Sequence, residues 1–117
     1  VSELVGLNAL VGRELSSVEF VRDYLQLRFD GLCLSAITMP VVRRDELAII
    51  PGAVGYCDAL VALIGSEVDS AVTEENKVLR VVFRKGVSIE ISLRPEDYKH
   101  GPEAAILRNP PDVIWVW

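Results

Sequence analysis

The sequence predicts an α+β domain: two tandem α-β-β-β repeats forming one pseudo-twofold unit around a bent antiparallel sheet that can close toward a barrel. Three observations predict it. A stretch of the first half recurs in the second, the apolar spacing changes after a glycine in each copy from helical to alternating, and turn residues punctuate the alternating runs. Setting "NALVGRELSSVEF" beside "VALIGSEVDSAVT" aligns Ala9, Leu10, Gly12, Glu14 and Ser17 with Ala62, Leu63, Gly65, Glu67 and Ser70, a constant offset of 53 positions (62 − 9, 65 − 12).

Each copy opens on a segment with helical spacing. In "SELVGLNALVG", Leu4, Leu7, Leu10 and Val11 share one face. In "YCDALVALIG" the corresponding face carries Cys57, Leu60, Val61 and Ile64. Ser2 and Glu3 suit the first turn of helix one, and "PGAVG" breaks the chain before helix two. Gly12 and Gly65 stand where a helix ends in the left-handed conformation, which glycine adopts without a Cβ penalty.

Past the glycine the period becomes two. In the second copy Val72, then Leu79, Val81 and Phe83, then Val87, Ile89, Ile91 and Leu93 alternate with polar residues such as Arg80, Ser88, Glu90 and Ser92, with turns at "EENK" and "RKG". The first copy gives Val18 and Phe20, then Leu25, Leu27 and Phe29, then Leu32 and Leu34, with turns near Arg22-Asp23 and at Asp30-Gly31. Its alternation slips around Ser16-Ser17, which predicts a β-bulge. Repeat one therefore spans about 2–40, a connection 41–54, repeat two about 55–94, and a C-terminal corner with a last strand, "VIWVW", 95–117. Trp115 and Trp117 fall on one face of that strand, suited to a core or a dimer interface.

At 117 residues, half of them apolar, the chain suits one domain and lies outside the disordered class. A net charge of −5 argues against nonspecific nucleic-acid binding, which needs Lys and Arg to neutralise phosphates; the pair Arg43-Arg44 is followed at once by Asp45-Glu46. No apolar run has the length of a membrane span. Cys33 and Cys57 lie in apolar surroundings without ligand spacing and read as free buried thiols, which places the protein in the cytoplasm. No metal site and no cofactor is indicated.

The stretches "VEFVRDYLQLRFDG" and "GYCDALVALIG", with the pairing of "SLRPEDY" to "GPEAA" and "WVW", resemble a family of small uncharacterised bacterial proteins over nearly the whole chain. That family has no assigned activity, so the resemblance implies no catalytic residue. Arg43, Arg44 and Asp45 in the middle connection depart from its pattern.

Chemistry is densest in "LRPEDYKHGPEAA", residues 93–105. Arg94, Asp97, His100 and Glu103 are the candidate binding residues, since carboxylates with a histidine serve hard cations or proton transfer once they converge. The same residues also make a structural corner. Pro95 and Pro102 suit first helical positions, Glu96 and Glu103 complement the turn dipoles, Gly101 suits a positive φ, and Arg94 can pair with Asp97 or Glu103. Tyr24, beside Asp23 at a hairpin turn, is a fifth candidate. His100 is the only histidine and the only group whose ordinary pKa lies near neutrality. Catalytic residues are unassigned: there is no G-x-S-x-G elbow, H-E-x-x-H or P-loop.

The leading expectation is a non-enzymatic binding or interaction module, a homodimer that covers its sheet edges by self-association. One alternative is a small metal-dependent enzyme acting on an acidic or phosphorylated small molecule, with Asp97 and Glu103 as ligands or base and Arg94 on the anion. A second is an immunity or antitoxin-like acidic partner protein that covers a basic surface.

Overall fold

The structure, a computed structural model, describes residues 7–99 and 101–117. Most of the first predicted helix therefore lies outside the described residues. Leu7 and Asn8 are helical and lead through a turn to Gly12, which adopts φ 85°. The second helix, α1 (Tyr56–Val61), runs into a turn that ends at Gly65, φ 90°. Both glycines hold the left-handed conformation that the sequence asks of them. The buried face of α1 carries Tyr56, Ala59 and Leu60, continued by Leu63. This corrects the predicted face: Cys57, Val61 and Ile64 are exposed, because Tyr56 turns inward to donate its hydroxyl to the Pro40 carbonyl at 2.6 Å and sets the helix rotation. Cys33 is buried as expected, on a strand.

Among the described residues ten strands follow in order: β1 (Ser17–Val21), β2 (Tyr24–Phe29), β3 (Leu32–Ala36), β4 (Val41–Arg44), β5 (Leu47–Ile49), β6 (Val68–Glu74), β7 (Val78–Phe83), β8 (Val87–Ser92), β9 (Ala105–Asn109) and β10 (Asp112–Val116). The three antiparallel strands expected after each glycine are β1–β3 and β6–β8. Asp30 and Gly31 both take positive φ in the β2–β3 turn, the two-residue geometry whose twist matches the flanking strands. At the predicted bulge, Ser16 and Ser17 both face Arg28: the Ser16 N–H donates to the Arg28 carbonyl while Ser17 holds the register position. A register shift lies between Val68 and Ser70, and it leaves Val72 exposed where alternation alone would bury it.

These strands form two open five-stranded sheets, ordered β1-β2-β3-β9-β10 and β5-β4-β8-β7-β6. A single bent sheet closing toward a barrel is thus corrected. The sheets are joined by an antiparallel bridge, Glu14 to Glu67, with flanking backbone hydrogen bonds, and by side chains packed between their faces. The buried residues of both make one core, in which Phe29 of β2 stacks on Phe83 of β7 with centroids 6.4 Å apart. Alternation gives each sheet one apolar face, and two such faces bury each other without closure.

The connection 41–54 contains the hairpin β4–β5, and the C-terminal corner leads into β9 as well as β10; neither β4–β5 nor β9 was read from the sequence. Each hairpin joins the sheet of the other three-stranded unit. β4 pairs with β8, and β9 pairs with β3. The chain therefore crosses between sheets twice, through 37–40 and through 93–104, and the crossings touch: the Ile37 and Thr38 N–H groups both donate to the Ala104 carbonyl. Trp117 packs against the core and exchanges backbone hydrogen bonds with Ala104 and Ala105. No helix among the described residues is long and apolar enough to cross a membrane.

Candidate functional site

Where the two crossings meet, the end of β8 carries Ser92 outward and β4 begins at Val41. Two clefts open there, and both residues line both of them. The first, about 370 Å³, has apolar walls of Ile37, Met39, Val41 and Pro51. Its polar edge is Thr38, Ser92, Asp97 and Lys99. The second, about 360 Å³, lies over the outer face of β4, β7 and β8, where Arg43, Lys77, Arg80 and Arg94 face Glu74 and Glu90. Both volumes fall at the lower end of the range for small-molecule sites, roughly 300–1,000 Å³.

The first crossing is fixed by Tyr56 on Pro40 and by Ala104 on Ile37 and Thr38. Burial raises the Tyr56 hydroxyl's pKa, so it stays protonated and keeps donating. The second crossing begins with a short 3-10 turn, Pro95–Asp97, with Pro95 at its start as expected. Asp97 does not pair with Arg94. Its carboxylate accepts the Ser92 hydroxyl, and Ser92 Oγ in turn accepts the Arg94 N–H at 3.2 Å. The expected pairing of Arg94 with Asp97 or Glu103 is therefore corrected among the described residues: Arg94 makes no ion pair there, and the Asp97 carboxylate is engaged by Ser92. Tyr98 closes the turn by donating to the Leu93 carbonyl, and burial raises its hydroxyl's pKa.

The second cleft is organised around Glu90. Its side chain is 14 % exposed and accepts from Arg43 Nε at 2.6 Å and Arg80 Nε at 2.8 Å. Burial pushes this carboxyl up, but the two guanidinium hydrogen bonds and charges outweigh it, leaving it below the usual carboxylate range. Arg80 is held above its ordinary value, chiefly by the hydrogen bond to Glu90 and against a smaller effect of burial. A second carboxylate, Glu74, lies 3.6 Å from Arg80 Nη1. Lys77 and Arg94 make no ion pair among the described residues. They are brought together because the Leu93 N–H donates to the Lys77 carbonyl at 3.0 Å.

Of the five candidates, the structure brings Asp97 and Arg94 to the two adjoining clefts. Glu103 is half-buried just before β9 and Tyr24 begins β2 in the other sheet; neither lines these clefts. His100 lies outside the described residues. Among the described residues no group of three or more His, Cys, Asp or Glu side chains is placed to hold a metal ion. Sequence reasoning missed Arg43, Lys77 and Lys99, and met Arg80, Glu90 and Ser92 only as the polar half of an alternation. The available signal was that alternation, since outward positions of paired strands form a row once the register is known. Compared with protein-family models, with curated proteins and with solved structures, the chain matches none of them.

Proposed function

We propose that the chain is a non-enzymatic binding module whose ligand lies across the two clefts meeting at Val41 and Ser92. The observation that carries this reading is their continuity: an apolar cleft and a charged one share two wall residues at the point where both chain crossings pass. The carboxylates there are engaged. Asp97 accepts Ser92, and Glu90 is held ionised by two arginines, opposite to the raised pKa that suits a carboxyl to general acid catalysis at neutral pH. Amide chemical shifts followed during titration with small amphipathic probes test the reading. Shifts should concentrate on residues 37–41 and 92–99; shifts confined to other surfaces reject it.

The proposal includes the tandem repeat. Four hydrogen bonds are reciprocal at the offset of 53: Gly12 N–H to the Val68 carbonyl and Gly65 N–H to that of Leu15, Leu15 N–H to Ser66 and Val68 N–H to Arg13. They flank the bridge of Glu14 with Glu67, itself a pair at that offset, and support two copies related by a pseudo-twofold axis. Self-association is also proposed, through the edge strand β10, whose Val113 and Val116 are exposed. Light scattering that gives a strict monomer at high concentration removes that part.

A further inference from the structure

Resting on that reading, we infer that the ligand is an amphipathic oxyanion. Its carboxylate or phosphate group is held by Arg43, Lys77, Arg80 and Arg94, and its apolar body lies against Ile37, Met39 and Pro51.

Charge placement is the first argument. The chain carries twelve Lys and Arg against seventeen Asp and Glu, yet four of those cations line one cleft that holds two carboxylates. Locally the balance is four minus two, a surplus of two positive charges on a protein of net charge −5. A cleft with a surplus of one sign of charge raises the local concentration of counter-charged ligands.

Orientation is the second. Arginine offers five N–H donors in a planar fork, and bidentate pairing with carboxylate or phosphate uses two of them. Glu90 takes Arg43 and Arg80 through Nε, so each guanidinium is held in place while Nη donors stay available: both on Arg43, and Nη2 on Arg80. Glu90 thus acts as a positioning residue. Were the arginines present only to neutralise Glu74 and Glu90, Lys77 and Arg94 would be superfluous; they are exposed, unpaired among the described residues, and tied beside each other by the Leu93 to Lys77 hydrogen bond.

Continuity is the third. Val41 and Ser92 belong to both clefts, so a ligand anchored at the cations reaches the apolar walls directly. Neither half alone accounts for both linings. A free inorganic anion leaves the apolar cleft unused, and a neutral apolar molecule leaves the cations unused.

The test uses four probes on the full chain, followed by calorimetry and amide chemical shifts: hexyl phosphate, hexanoate, inorganic phosphate and hexanol. Hexyl phosphate or hexanoate is expected to bind at least about tenfold more tightly than phosphate or hexanol, with shifts at 37–41, 77, 80 and 92–94; which of the two wins separates a phosphate from a carboxylate ligand. The double variant Lys77→Ala/Arg94→Ala, whose side chains are exposed, should keep the wild-type circular dichroism and melting temperature and lose at least about tenfold of that affinity. Raising salt should weaken the wild type more than the variant. Hexanol binding at 37–41 as tightly as hexyl phosphate, and unchanged in the variant, overturns the oxyanion while leaving the binding module standing. Shifts from all four probes that avoid both clefts overturn the two together.

Discussion

Replacing Phe83 with alanine tests whether two sheets sharing one core unfold as one unit. Phe83 is 1 % exposed on β7, and it stacks on Phe29 of β2, the centre of the other sheet's meander. A buried Phe→Ala change costs about 3–5 kcal/mol through lost transfer energy and the cavity left behind. A chain of 117 residues has a total stability of roughly 6–18 kcal/mol at the usual value per residue, so the variant loses about a sixth or more of it. In urea, with a slope of about 1.5 kcal/mol/M, the midpoint falls by about 2–3 M. The assay exploits the position of the reporters. Both tryptophans, Trp115 and Trp117, lie at the C-terminal end on the first sheet's side, while the mutation is in the second sheet. Tryptophan fluorescence and far-UV circular dichroism should therefore give one coincident, equally displaced transition. A fluorescence transition that stays at the wild-type midpoint while the circular dichroism moves would refute the shared core. The double cycle with Phe29→Ala should return a coupling of about 0.5–1.5 kcal/mol, the range for stacked aromatic pairs.

The Glu90 network gives a pH signature. Its folded-state pKa lies below the unfolded one, so its contribution is present above the ordinary glutamate value of about 4.3 and is lost as pH falls through the lower folded value. Glu90→Gln should cost about 1–2 kcal/mol at pH 7, with the half-exposed Arg43 discounted for solvent screening, and should flatten the acid limb of a stability profile. An unchanged acid limb would show that other carboxylates set it. Gly12→Ala and Gly65→Ala should each lower stability by about 1–2 kcal/mol in chemical denaturation, since an added Cβ meets nothing within 4 Å at either site and only the left-handed φ opposes it. In thiol labelling with a colorimetric disulfide reagent, Cys57 should react in the folded protein and Cys33 only after unfolding; two fast thiols would contradict the burial of Cys33.

Most strands were legible because they alternate. Leu25, Leu27 and Phe29, like Leu79, Val81 and Phe83, are buried at every second position, and the turns at Asp30-Gly31 and Gly86 carry the positive φ their residues favour. The hairpin β4–β5 was hidden because it has little to alternate: Val42 alone is fully buried, while Arg43, Arg44 and Leu47 are exposed. β9 was masked by the prolines before it, which drew attention to a corner, although Ala105 and Leu107 are both fully buried. Cys57 misled for a different reason. Two stripes with helical spacing overlap in this short helix, and the one that faces the core runs through Tyr56, Ala59, Leu60 and Leu63, with the Tyr56 hydroxyl bonded to the Pro40 carbonyl.

The candidate site was legible in its residues but not in its geometry, and the reason lies in the exchange of hairpins. The corner holding Arg94 and Asp97 meets β4, whose Arg43 is 51 positions earlier, only because 37–40 and 93–104 cross between sheets in opposite senses. No local pattern encodes such a meeting. On the proposed repeat, the two sheets also differ at corresponding places. In the first, Ser35 of β3 lies between Gln26 of β2 and Ile106 of β9, and its hydroxyl takes only a 3.4 Å contact from Arg108. In the second, Glu90 of β8 lies between Arg80 of β7 and Val41 of β4 and accepts from Arg80 and Arg43. A serine hydroxyl is a neutral, weaker partner for one guanidinium, whereas a carboxylate has lone pairs for two and fixes both. On the proposed repeat, exchanging a neutral row for a charged one, together with a crossing long enough to carry Arg94, Asp97 and Lys99, is what places the proposed binding surface on the second half and not, among the described residues, on the first.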